Sequence, residues 1–285
     1  MASSGAAAGL GLLAAATWGG SDFAGGWGSR RAPALLIVTS GQIISGAILL
    51  ALCFTLHLSS PPSNYALLAI AGGVEGALSL VIFYRALSIG AMGMTAAFTG
   101  LLTALIPVLF SLLRYGLPGP VNLAGLAVGC AAIWLIANQA PDPASEHQPG
   151  ASRKALWLGT LAGMGFGCQL VLLKLASNGG VLWSLTWTRI AGVAALLLTL
   201  AFLRSKAPLK AYLAIGIVAG VLDTLGNLFY VLAAQSGRLD IAAMVSSLYP
   251  AGTILLAAIL LHERPSRRQM AGMGLALAAV AMLSV

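Results

Sequence analysis

The sequence predicts an all-α integral membrane protein: ten transmembrane helices arranged as two inverted five-helix repeats. Three observations carry this. Apolar residues make up 59% of the 285-residue chain and charged residues only 8%, against about 25% charged in a soluble domain. The apolar residues gather into runs close to the ~20 residues that cross a hydrocarbon core of about 30 Å. One polar, proline-rich stretch divides those runs into two sets of five.

In order, the expected spans are 7–27, 33–56, 64–87, 91–113 and 119–138, then 155–176, 181–203, 209–235, 239–261 and 268–285. The first begins without the basic stretch of a secretory signal, so it reads as a span. The dividing stretch holds Pro141, Asp142, Pro143, Glu146, His147 and Pro149, and this composition reads as a linker. The expected units are residues 1–138, a linker at 139–154, and residues 155–285. A shift of 147 residues relates the two halves. It sets Pro118 on Pro265, Ala124–Gly125 on Ala271–Gly272, and Ala131–Ala132 on Ala278–Ala279. Phe83–Tyr84 meets Phe229–Tyr230 one residue out of step. An odd number of spans per half forces opposite orientations, the inverted-repeat plan with its site near the bilayer midplane.

Charge and cysteine agree with a chain dissolved in lipid. The formal charge of +8 is scattered in short basic clusters between apolar runs, such as Arg30–Arg31 and Arg153–Lys154. That is headgroup placement rather than a nucleic-acid face. Cys53, Cys130 and Cys168 sit inside apolar runs with no ligand spacing. Gly-x-x-x-Gly occurs at Gly72/Gly76, Gly125/Gly129, Gly159/Gly163/Gly167 and Gly216/Gly220, which predicts close helix contacts.

Polar residues deep in a span are costly and are candidates for function. Glu75 and Asp223 lie near the middle of the third and eighth spans. The repeat shift brings Asp223 to Gly76, beside Glu75. Arg85 and Arg189 are the alternative, purely structural partners for these acids. Asp223, Asn227 and Tyr230 form one polar stripe at i, i+4 and i+7. Thr95, Thr99 and Thr103 repeat every fourth residue of the fourth span, where threonine can also bond its own helix. Ser246, Ser247 and Tyr249 precede Pro250 in the ninth, and Gln169 lies midway in the sixth. Trp18 and Asp22 are one turn apart in the first span, with Asp22 near its end.

The chain resembles the drug/metabolite transporter superfamily, in its EamA branch. The resemblance rests on the duplicated five-span unit, Trp18-Gly19, Pro250, Leu261-His262-Glu263-Arg264-Pro265 and Gly272. Gly116 stands in the first half where Glu263 stands in the second, and Phe166-Gly167 where Trp18-Gly19 stands. The resemblance implies a central cavity lined by the first, third, fourth, sixth, eighth and ninth spans. It implies a secondary transporter, an exporter of amino acids or similar small metabolites.

The expected binding residues are Trp18, Glu75, Tyr84, Thr99, Gln169, Asp223, Asn227, Tyr230 and Ser246. The chain has no Gly-Lys-Ser/Thr phosphate loop, so a gradient is the expected energy source. Asp223 and Glu75 are the expected proton-coupling acids, because a poorly solvated carboxylate readily takes up a proton. No cofactor and no metal are expected. The partners are a small solute, the bilayer and protons, with the chain a monomer or homodimer in a bacterial-type cell membrane. The alternatives are an intramembrane acyl- or prenyl-transferase and a membrane scaffold. The first calls for clustered histidines or paired acids at an interface, and the second for neither duplication nor a mid-membrane polar stripe.

Overall fold

The computed structural model describes residues 4–90, 92–137, 149–260 and 266–283. Every regular element among them is helical. The α-helices are α1 (Ser4–Gly28), α2 (Ala34–Thr55), α3 (Ser63–Ile89), α4 (Met92–Tyr115), α5 (Pro120–Ala137), α6 (Pro149–Ala176), α7 (Val181–Leu203), α8 (Leu213–Ser236), α9 (Leu239–Ser246), α10 (Tyr249–Leu260) and α11 (Arg267–Leu283). Most of the stretch read as a linker, and the 261–265 motif, lie outside the described residues. The sixth helix reaches back to Pro149, a residue whose fixed φ and missing N–H suit the first turn of a helix.

Among the described residues, seven segments are long and apolar enough to cross a membrane: α2, α3, α4, Arg153–Gly179, α7, α8, and Leu239–Leu260 counted as one. The sequence predicts ten. Helix α5 falls short at 18 residues and α11 at 17. Helix α1 is long, but its glycines, tryptophans and Asp22 dilute its apolarity.

The ninth span is not one helix. Pro250 has no N–H to offer the Ser246 carbonyl, so the α-helical ladder fails there. The chain tightens instead, Leu248 N–H donating to Val245 O at 3.2 Å and Ala251 N–H to Leu248 O at 3.0 Å. The break leaves α9 and α10 as separate rods and sets Tyr249 at the mouth of the second. Pro107, in contrast, is absorbed inside a continuous α4.

Helix packing falls into matched pairs. Helix α1 lies along α8, and α3 along α6; α2 crosses α8, and α7 crosses α3. Helices α9 and α10 pack on α1, and α4 packs on α6, while α5 lies against α11. The tightest crossings use glycine. A Cβ on Gly220 would land on the backbone of Gly41, and one on Gly73 would land on the backbone of Thr188. Gly159, Gly163 and Gly167 of α6 face Thr99, Leu102 and Ile106 of α4. The small-residue spacing thus marks real contacts, as close packing in lipid requires. The outer surface is apolar: Leu113, Leu198, Phe202 and Leu277 are all exposed. Water would penalise so large a patch, whereas acyl chains accept it.

Candidate functional site

Six helices converge on a cavity. Its lining is Trp18 and Asp22 of α1, Leu80 of α3, Thr103 of α4, Phe166, Gln169 and Leu170 of α6, Asp223 and Asn227 of α8, and Tyr249 of α10. Both halves of the chain contribute. The free space is small, about 40 Å³, room for a few waters.

The i, i+4 spacing on α1 puts Trp18 and Asp22 on the cavity side together. Trp18 lies against α8 where Gly226 has no side chain to block it. Its ring centre is 5.9 Å from that of Tyr230 and 6.4 Å from that of Tyr249, the latter edge-on. Phe83 extends the cluster, edge-on to Phe166 at 5.6 Å and to Tyr249 at 6.2 Å. Such tilted and edge-on pairs suit ring quadrupoles and give the cavity a firm aromatic wall.

The two lining acids are held differently. Asp223 Oδ2 accepts from Arg189 Nη2 at 2.8 Å, and its Oδ1 accepts from Asn227 Nδ2 at 3.3 Å. Asn227 is anchored in turn by donating to the Asp223 carbonyl at 2.8 Å. Asp22 is 6% exposed, and among the described residues no hydrogen bond or ion pair engages its carboxyl. A smaller cavity adjoins the first, sharing Leu80 and Asp223 and adding Gln42, Ser45 and Tyr84.

Of the nine binding residues expected from the sequence, Trp18, Gln169, Asp223 and Asn227 line the main cavity. Tyr84 borders only the smaller one. Its phenol lies 2.8 Å from Ser21 Oγ and 3.1 Å from the Ser21 carbonyl, while Ser21 donates to Ala219 O at 2.8 Å. Tyr230 is fully buried and donates to Leu170 O at 2.9 Å. Thr99 donates to Gly159 O at 3.2 Å in the α4–α6 contact. Ser246 is buried at the end of α9, its hydroxyl without a partner among the described residues. Glu75 is exposed on α3 and reaches toward Gly165 of α6, outside the cavity. Arg189 takes the partner role with Asp223 that the sequence offers as an alternative. Asp22, Thr103 and Tyr249, read from the sequence as polar span residues but not as binding residues, also line the cavity; Phe166 stands out in the sequence only as the counterpart of Trp18, and Leu80 and Leu170 carry no signal.

Residues 153–285 match the model of the EamA-like transporter family. Over this part, the chain is similar to the EamA-like transporters. No curated protein matches the chain. Among solved structures, a crystal structure described only as that of a protein is 18% identical, with a TM-score of 0.73, covering 97% of this chain and 95% of that one. That likeness establishes a shared fold along almost the whole length. With seven apolar helices of spanning length among its described residues, the chain is a multi-pass membrane protein. The six helices that line its cavity are those the family resemblance implies, with α10 standing for the ninth span.

Proposed function

We propose that this EamA-like protein is a secondary transporter that carries a small metabolite, an amino acid or similar solute, by alternating access through the central cavity. The observation that carries the reading is the lining itself: polar and aromatic groups from both halves converge inside a bundle whose outer surface is largely apolar. A scaffold has no need of such a lining, and the family's members are transporters rather than enzymes.

The ten-helix inverted repeat belongs to this reading. The packing pairs support it. Exchanging α1 with α6, α2 with α7, α3 with α8 and α4 with α9–α10 turns the α1–α8 contact into α6–α3, α2–α8 into α7–α3, and α4–α6 into that of α9 and α10 with α1. Residue contacts follow the same rule. Shifting Gly41 and Gly220 by 147 in opposite senses leads to Thr188 and Gly73, the other backbone-close crossing. Tyr84 and Tyr230 each tie the third helix of a half to the first helix of the same half. Two halves so related, each of five crossings, would rock against one another around the shared site.

Outward movement across a cell membrane, coupled to protons, completes the proposal. Asp223 keeps its candidacy as the coupling acid because it lines both cavities and holds Arg189, a counter-ion whose hold depends on the carboxylate charge. Glu75, on the outer face of α3, would have to act away from the solute path. The experiment is uptake of a labelled metabolite panel, amino acids first, into proteoliposomes with and without a pH gradient. Protein-dependent movement of at least one solute, lost in Asn227→Ala that still melts cooperatively, is the expected result. Leakage equal to empty liposomes for every solute would defeat the reading.

A further inference from the structure

We propose that the cavity recognises an organic cation, with an amine or ammonium group held by the Asp22 carboxylate among the rings of Trp18, Phe166 and Tyr249. This rests on the carrier reading above and names the substrate class of the same site.

The argument starts from charge. Among the described residues the lining holds two carboxyl groups and no basic side chain. Asp223 is already matched by Arg189, so that pair is neutral as a unit. Asp22 has no such match, is buried, and opens onto the free space. A buried ionised carboxylate without a partner is costly, so such a group is neutralised either by a proton or by a counter-charge from outside the protein, and a bound ammonium group supplies the second. An anionic solute finds the reverse situation: the nearest guanidinium, that of Arg189, is already engaged by Asp223.

The walls agree with the charge. Three of the ten lining residues are aromatic, and ring faces attract ammonium groups while offering nothing comparable to a neutral alkyl group. The aromatic contacts that fix these rings run to Tyr230 and Phe83, both buried. The cage is therefore preformed, and an alkylammonium head is compact enough for a cavity that must widen little. An amino acid would enter by its ammonium end.

The test uses the full-length protein in detergent and isothermal titration. The probes are methylammonium, tetramethylammonium, choline, and 3,3-dimethylbutan-1-ol, the uncharged carbon analogue of choline. At least one cation should bind. Choline should bind about tenfold or more tighter than the alcohol, in line with cation–ring attraction added to an ion pair. Asp22→Asn should erase that difference, and Asp22→Glu should restore it. Equal affinity for choline and the alcohol, undiminished choline binding by Asp22→Asn, or no binding of any cation overturns the proposal. Counterflow of neutral solutes without cation preference would defeat this inference and leave the carrier reading standing. Asp22-dependent cation binding with no transport of any solute would do the opposite.

Discussion

Arg189 Nη2 lies 2.8 Å from Asp223 Oδ2, tying α7 to α8, and the repeat shift carries these two residues to Gln42 and Gly76. The ion pair is thus a feature of one half only. Both side chains are largely buried, at 4% and 13% exposure. Removing one partner strands the other charge, which costs about 3–5 kcal/mol in buried pairs. Arg189→Met and Asp223→Leu alone should each lower the melting temperature of the purified protein clearly. The double variant should recover much of the loss, since an apolar replacement of a whole buried pair is often neutral. Additive losses in the double variant would contradict this account of the pair.

Tyr84 and Tyr230 make matching bonds in the two halves, each phenol reaching a backbone carbonyl of the first helix of its half. Tyr84→Phe and Tyr230→Phe should each cost about 1 kcal/mol. Thermal unfolding checks this. A larger loss at Tyr84 is expected, because Ser21 also faces its phenol. Loss of solute binding with unchanged stability in either variant would mean that these hydroxyls serve the solute instead.

The glycine crossings predict a sharp contrast. Alanine at Gly73 or Gly220 pushes a methyl group into backbone that cannot step aside, whereas a methyl group at Gly9 or Gly274 would meet nothing within 4 Å. Gly73→Ala and Gly220→Ala should reduce the yield of monodisperse protein on size-exclusion chromatography. Gly9→Ala and Gly274→Ala should match the parent.

Orientation follows from basic residues. Arg30, Arg31, Arg85, Arg153, Lys154, Arg204, Lys206, Lys210, Arg264, Arg267 and Arg268 fall at alternate loops, and Arg114, Lys174 and Arg238 at the others. The positive-inside rule puts the first group in the cytoplasm and both termini outside. A cysteine placed at Ser145 should resist an impermeant thiol reagent added to intact cells; ready labelling there reverses the orientation.

The helices are legible in the sequence because each is a run of apolar residues bounded by proline, glycine or charge, and expected ends agree with α2, α5 and α7 within a residue. The break before Pro250 is not. A proline shows where a bond is missing, but Pro107 sits inside an unbroken helix, and the difference is set by neighbours. The same limit governs the site. Position along a span gives depth and not azimuth, so Glu75 and Asp223 read alike although one faces outward and one lines the cavity. Asp22 reads as near a span end, yet it is buried and lines the cavity. The stripe Asp223, Asn227 and Tyr230 is one face, but that face spans two environments: the first two residues meet the cavity, and Tyr230 is sealed against α6.

The central claim is that one cavity, built by both halves, opens alternately to the two sides of the membrane. It can be tested without knowing the solute. Cys53, Cys130 and Cys168 are replaced, and a single cysteine is introduced at Asn227, which lines the cavity. An impermeant thiol reagent is then applied to right-side-out and to inside-out vesicles. The account predicts that the thiol is labelled from each side. Labelling from one side only, or from neither, would contradict it.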